Sequence, residues 1–169
     1  MFARKSFTFP VGLIAIVLAF ASVGAVHAAD DTPITDASGI ARVKSAYPMP
    51  ETIARLKQDV AAKGIRFFLE VDQHQLAADA GIDVRPSTLL IFGNPPLGTL
   101  FVRANPLAGL DWPVRLLVLQ DDSGTVWTAY TDFAWIAARH GIVDRADQFK
   151  MASMVIASGR RKNPLAAID

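Results

Sequence analysis

The stretch Phe92-Gly93-Asn94-Pro95-Pro96-Leu97-Gly98-Thr99 and the later stretch Ala108-Gly109-Leu110-Asp111-Trp112-Pro113-Val114-Arg115 decide the fold of this chain. Glycine and proline at this density require particular backbone angles, so each stretch marks a turn. The apolar run at 88–92, before the first turn, predicts an interior strand. Residues 97–104 favour a short helix, although their β-branched residues also permit a strand. Residues 113–120, after the second turn, predict another strand.

A β-hairpin is predicted directly after the second turn, with residues 113–120 and 125–131 as its strands. Asp121-Asp122-Ser123-Gly124 forms the connection, and its glycine suits the positive φ that such a turn requires. Apolar side chains alternate onto both faces of the first hairpin strand. This pattern predicts that the strand lies in the interior of a sheet.

The remaining elements extend this pattern in both directions. Further strands are predicted at 39–46 and 65–71, and further helices at 75–80, 133–140, 144–158 and from Pro50 to a stop at Lys63-Gly64. Hairpin-connected strands mixed with helices predict an α+β fold. We expect a mainly antiparallel sheet of about four to five strands, covered by helices, in a single domain.

The N-terminus has the pattern of a cleaved secretory signal peptide over residues 1–28. Arg4 and Lys5 precede a short apolar core, and Val26-His27-Ala28 offers small residues where a signal peptidase cuts. The core is shorter than the roughly 20 residues of a membrane span. We therefore expect a periplasmic protein of residues 29–169 that has no membrane association after cleavage. Its first residues, 30–38, are predicted to be a disordered lead, that is, an N-terminal segment without regular structure.

Composition excludes several classes of function. The chain has no cysteine, so disulfides, thiolate catalysis and cysteine-ligated metals are excluded. Without Arg4 and Lys5, 15 basic residues stand against 16 acidic ones, a formal charge of −1. With no basic patch, nucleic acid is not an expected partner.

From about Val71 to Gly141, the order of motifs resembles the uncharacterised bacterial family of domains of unknown function numbered 302. The motifs that carry the resemblance are Asp72 and His74, Phe92 to Pro95, Gly98-Thr99, Gly109 to Arg115, Asp121 to Gly124, Tyr130 and Arg139-His140. The family-like core covers about 47–141, and a C-terminal helix and tail occupy 144–169. Two departures are Gln73, which separates Asp72 from His74, and Trp112, where a smaller aliphatic residue is usual. The resemblance implies a small α+β domain that forms a homodimer, with no established activity.

Arg115 is the most suggestive candidate for ligand binding because it interrupts an apolar strand. A buried guanidinium needs a carboxylate, which Asp111, Asp72 or Glu51 could supply as a structural ion pair. Alternatively, Arg115 holds a ligand carboxylate in an apolar pocket. Under this interpretation we expect a non-catalytic, small-ligand-binding or stress-related homodimer. Its predicted ligand-binding residues are Arg115, Tyr130, His74 and Asn94.

Two other interpretations stay open. His74 and His140, with Asp72 or Asp111, could ligate a divalent metal or serve an enzyme, although their separation in sequence is not a ligand spacing. Alternatively, Trp112 and the predicted C-terminal helix form an interface with a partner protein. The glycines of 93–98 lack the lysine of a nucleotide-binding loop, and no serine lies in a hydrolase elbow. We therefore expect no cofactor and no metal, and we assign no catalytic residue.

Overall fold

The computed structural model describes residues 33–144 and residue 147. The predicted signal peptide and most of the helix predicted at 144–158 lie outside these residues. The elements in chain order are β1 (Ile34–Thr35), β2 (Ile40–Lys44), α1 (Met49–Ala62), β3 (Arg66–Asp72), α2 (Gln73–Asp79), β4 (Ser87–Gly93), α3 (Pro95–Ala104), a 3₁₀ helix (Pro106–Leu110), β5 (Val114–Gln120), β6 (Val126–Thr131) and α4 (Phe133–His140).

The strands form one sheet in the order β1-β2-β6-β5-β4-β3, and each neighbouring pair is antiparallel. The predicted α+β class and the interior position of β5 are confirmed. The predicted number of strands was too low, because the described residues contain six. The strand that the sequence analysis missed is β1, which lies in the predicted disordered lead.

A side-chain-stabilised turn brings β1 back onto the sheet. The Asp36 carboxylate accepts hydrogen bonds from the Ser38 N–H at 2.9 Å, the Ser38 hydroxyl at 2.5 Å and the Ile40 N–H at 3.1 Å. These bonds lower the pKa of Asp36, the Ser38 hydroxyl contributing most. Gly39 then takes a φ of +79°, so that Ile34 pairs with Arg42. The turn therefore gives a defined structure to residues that composition alone predicts to be disordered.

The hydrophobic core lies on one face of the sheet, which we call the inner face. It contains Leu90, Phe92, Leu116 and Val118 of the central strands, all at most 3% exposed. Leu56 and Val60 of α1 pack on this layer, as do residues of α3 and α4. Spacing of four residues places Thr52, Leu56 and Val60 on one side of α1, which explains why this helix covers the sheet.

Side-chain caps set the ends of the shorter helices. Asn94 accepts a hydrogen bond from the Leu97 N–H, so α3 starts at Pro95, two residues before the predicted helix. Asp132 caps α4 in the same way, through the Trp135 N–H. Gly141 ends α4 in the left-handed conformation, as the sequence predicts. The predicted helices at 97–104 and 133–140 are confirmed.

The opposite face of the sheet, which we call the outer face, is also apolar. It carries Leu69, Val71, Leu89, Ile91, Leu117, Leu119, Trp127 and Ala129, which the strand register places in adjacent positions. In the described part of the chain, none of these side chains belongs to the core cluster that the helices cover. Leu69 is 52% exposed. The sheet therefore presents apolar surface on the side away from the core.

Candidate functional site

A cleft of about 880 Å³ opens where the N-terminus of α1 faces the ends of β3, β4 and β6. The apolar part of its lining, which we call the apolar wall, comes mainly from the start of α1 and the first residue of β6. The polar part, which we call the polar wall, includes side chains of β3, β4, β5 and α2. The lining includes Met49, Ile53, Glu70, Asp72, His74, Thr88 and Gln120.

His74 lies at the rim of this cleft, in the first turn of α2. Asp72 begins the helix by accepting a hydrogen bond from the Gln75 N–H at 2.9 Å. The Nδ1 atom of His74 lies 2.7 Å from the Val84 carbonyl oxygen. Because a carbonyl oxygen only accepts, Nδ1 carries the proton, and in the neutral ring Nε2 keeps its lone pair. The backbone therefore fixes the tautomer of this histidine.

Thr88 belongs to the polar wall and is 4% exposed. Strand register places it beside Asp72 of β3 on the inner face. Its hydroxyl has no hydrogen-bond partner among residues 33–144 and 147. The neighbouring Ser87 hydroxyl, by contrast, donates to the Gln73 side chain at 2.7 Å. Thr88 is thus a buried polar group that the described chain leaves unsatisfied.

A second polar cluster surrounds Asp111, whose side chain is only 4% exposed. His140 Nε2 lies 2.6 Å from Asp111 Oδ2, and Arg139 approaches both carboxylate oxygens at 3.3 and 3.4 Å. Arg115 Nη2 lies 3.4 Å from Asp111 Oδ1 and donates to the Leu110 carbonyl at 2.8 Å. A nearly buried carboxylate therefore joins the start of β5 to the end of α4.

The four predicted ligand-binding residues do not form one site. Arg115 pairs with Asp111, which is one of the carboxylates that the sequence offered. Tyr130 pairs with Leu116 in the register, so it lies on the sheet face opposite to Arg115 and is 5% exposed in the core. The expectation that Arg115 and Tyr130 share a pocket is therefore wrong. Asn94 caps α3, and His74 is the only one of the four that lines the cleft.

His74 and His140 lie at opposite ends of the sheet. His140 contacts Asp111 just before β5, whereas His74 lines the same cleft as Gln120 at the end of β5. A seven-residue strand spans roughly 20 Å, so these two histidines cannot share one metal ion. Within residues 33–144 and 147, no group of three or more histidine, aspartate and glutamate residues is placed to hold a metal.

Trp112 packs against two glycines of the turn at 93–98. A Cβ atom added at Gly98 would stand 1.8 Å from Trp112 Nε1, and one at Gly93 would stand 3.1 Å from the same atom. The indole also meets the Phe68 ring edge-on, at 6.3 Å between centroids. Trp112, which departs from the family pattern, therefore occupies space that is open because Gly93 and Gly98 have no side chain.

The hairpin turn beside the cleft carries a strongly acidic group. Hydrogen bonds from the Ser123 hydroxyl and then from the Trp127 indole lower the pKa of Asp121 to about 2. The indole Nε1 of Trp127, on the outer face, lies 2.8 Å from Asp121 Oδ2. Asp121 is therefore negatively charged at any physiological pH and sits at one end of the outer face.

No local sequence signal marks Thr88, Glu70 and Gln120 as members of a site. Thr88 is flanked by an apolar run, and Glu70 and Gln120 belong to strands in which a polar residue usually faces water. The signal that could have found them is the strand register, which aligns Asp72 with Thr88 on one face. That register depends on pairing between distant strands and cannot be read from one local segment.

Comparison with known proteins identifies a family and a fold. A family model described as "Domain of unknown function DUF302" matches residues 41–157. The crystal structure of an uncharacterized conserved protein DUF302 from Bacillus stearothermophilus matches 73% of this chain and 97% of that chain, with a TM-score of 0.65. Because the two sequences are 20% identical, this likeness shows the fold alone.

Curated relatives carry the name of an ion channel. They include the fluoride-specific ion channels FluC 1 of Brucella suis biovar 1 (strain 1330) and FluC 1 of Brucella abortus biovar 1 (strain 9-941). Each is 39% identical over 105 residues, which are 62% of this chain and 41% and 39% of those proteins, respectively. The chain thus spans about two fifths of their length. Among the helices of residues 33–144, none is long and apolar enough to cross a membrane.

Proposed function

Because the chain belongs to the DUF302 family of domains of unknown function, which names no activity, we propose its function from its own geometry: it is an exported, non-catalytic homodimer that binds a small ligand in the cleft. The observation that carries this proposal is the 880 Å³ cleft itself. It combines an apolar wall with a few polar groups, the usual composition of a small-molecule site. His74 supports it, because its ring is held by Val84 with Nε2 left for a ligand.

Native mass spectrometry of the protein isolated from its own periplasm tests ligand binding and export together. We expect a mature chain that begins at Ala29 and carries an additional small-molecule mass. A His74→Ala variant should carry clearly less of that mass, because the loss of one cleft hydrogen bond weakens the affinity by up to about tenfold. Leu107→Ala, a change on the exposed 3₁₀ helix, is the matched control and should keep the mass.

Two outcomes would contradict this part of the proposal. A chain that keeps residues 1–28 would rule out cleavage and would count against the proposal of export. A mature protein that carries no extra mass, and whose cleft resonances do not shift with any member of a fragment library, would rule out ligand binding.

The outer face supports the homodimer. Strand register places its apolar side chains in adjacent positions on β3, β4, β5 and β6, and within the described residues none of them belongs to the core cluster that the helices cover. A two-fold axis lying between two outer faces would bury this apolar surface of each copy against the same surface of its partner.

Sedimentation velocity tests this interface. We expect the unaltered protein to sediment as a dimer, and Leu117→Lys, at the centre of the outer face, to sediment as a monomer with unchanged circular dichroism. The new charge would have to be buried in the dimer without a counter-charge. Leu69→Lys serves as a second variant at the more exposed edge, and Leu107→Lys is the control away from the face. An unaltered protein that stays monomeric would overturn the dimer.

The curated relatives favour a second candidate function, a module that associates with a membrane partner. The shared 105 residues form about two fifths of proteins named as fluoride-specific ion channels. Under this alternative, the domain pairs with a channel of that kind through its outer face. Affinity purification of the tagged chain from its own membranes should then recover such a channel, and Leu117→Lys should abolish recovery. Failure to recover one from intact cells contradicts this alternative.

A further inference from the structure

The unsatisfied Thr88 hydroxyl indicates where a ligand is held in the cleft. Burying a hydroxyl without a partner costs free energy. In the absence of a ligand, an apolar side chain of the same shape would therefore make the protein more stable than threonine does. Thr88 is 4% exposed, lines the cleft and neighbours Asp72 across the strands. A ligand group that hydrogen-bonds to both residues would remove this cost.

The polar atoms that remain around Thr88 are mostly acceptors. Asp72 uses Oδ1 to cap α2, which leaves Oδ2. Glu70 uses Oε2 for Lys57, and Gln120 donates its amide N–H to the Gly124 carbonyl, which leaves one oxygen on each side chain. In the neutral ring, Nε2 of His74 is an acceptor as well. Such a set of acceptors matches a ligand that supplies several N–H donors.

Charge favours a cation over an anion at the same place. Asp72 has no basic partner among the described residues, whereas Glu70 is paired with Lys57 at 2.6 Å. Lys44 is the basic residue in the lining, and its pairing with Trp127 places it on the outer side of the sheet. The N-terminus of α1 would favour an anion, but Pro50 lacks an N–H and Glu51 already supplies a carboxylate in the first turn.

We infer that the cleft takes a small primary amine with an apolar body. Its ammonium group lies against Asp72 and Thr88, and its alkyl or aromatic part lies along Met49 and Ile53 of α1. This inference rests on the proposed ligand-binding function and adds the chemical class of the ligand. An ammonium group supplies three donors and one positive charge, which match the buried Thr88 hydroxyl and the exposed Asp72 carboxylate.

Titration with hexylamine, hexanol and hexanoate, followed by NMR of the full-length mature protein, tests the class directly. The three probes share one alkyl chain and differ in the head group. We expect hexylamine to bind about tenfold more tightly than either of the others, with shifts at Thr88 and His74. Asp72→Asn should remove this preference, because asparagine still caps the helix but carries no charge. Asp79→Asn, in the same helix and outside the cleft, should retain it.

Thr88→Val separates a binding role from a structural one. We expect it to weaken hexylamine binding about tenfold and to raise the melting temperature, because the unsatisfied hydroxyl is removed at equal volume. A lower melting temperature would show that the hydroxyl has a structural partner and would overturn its role here. Tighter binding of hexanol or hexanoate would overturn the amine while leaving the cleft as a ligand site. Binding of none of the three, with no retained mass from the periplasm, would overturn both.

Discussion

Replacing Asp111 with asparagine is expected to lower the free energy of unfolding by about 3 kcal/mol, because it removes the buried negative charge that two arginine side chains and His140 contact. The carboxylate is 4% exposed, and His140, at 5% exposure, is nearly as buried. Asparagine carries no charge, so the 2.6 Å contact with His140 Nε2 becomes weaker, and the buried ring has little water at hand to replace it. Urea denaturation followed by circular dichroism measures the loss.

Two comparisons make this prediction specific. Asp83→Asn, at an exposed position, should change stability by less than about 0.5 kcal/mol. Arg115→Ala should cost only about 1 kcal/mol, since its side chain is 52% exposed and water can replace the ion pair. If Arg115→Ala costs as much as Asp111→Asn, the arginine and not the buried carboxylate organises the cluster.

Replacing Gly98 with alanine is expected to cost about 3 kcal/mol, because the new methyl group would overlap the indole of Trp112. The added Cβ would lie 1.8 Å from Nε1 and 1.9 Å from Cε2, so the ring or the start of α3 must move. The ring is also held by its edge-on contact with Phe68. Thermal unfolding gives the loss, and near-ultraviolet circular dichroism reports the displaced indole.

The double variant Gly98→Ala with Trp112→Leu tests the cause. A smaller aliphatic residue at 112 makes room for the methyl group, so the double variant should be more stable than Gly98→Ala alone. Gly109→Ala is the control, because a Cβ there meets only Val102, at 3.9 Å. Equal losses in the single and double variants would mean that the indole is not what excludes a side chain at 98.

The two D-x-S-G turns show how far local sequence reasoning reaches. Asp121-Asp122-Ser123-Gly124 was predicted as a hairpin connection, and its aspartate does accept hydrogen bonds from the Ser123 and Thr125 N–H groups. Asp36-Ala37-Ser38-Gly39 makes the same bonds two and four residues ahead, yet it was assigned to a disordered lead. The two turns differ in the strands beside them. Only two residues, Ile34 and Thr35, form strand pairs before the turn at 36–39, and this is too short a strand to recognise from the sequence.

The candidate site could be predicted only in part. His74 lines the cleft as a predicted ligand-binding residue, but the apolar partners of the cleft come from α1, and its unsatisfied hydroxyl comes from β4. Arg115 is a predicted site residue because it interrupts an apolar strand, and its ion pair with Asp111 is one of the alternatives that the sequence leaves open. Its position relative to Tyr130 depends on which of two alternating faces each side chain occupies.

The sequence by itself determined most of the elements, the α+β class and the family of this protein, because turn residues, helix caps and apolar spacing act between residues close in the chain. Tertiary structure alone decided the six-strand order, the separation of His74 from His140 and the meeting of Asp72 with Thr88. These features arise from pairing between strands far apart in sequence. A register shift of one residue would turn every side chain to the other face, and only the packed sheet excludes that shift.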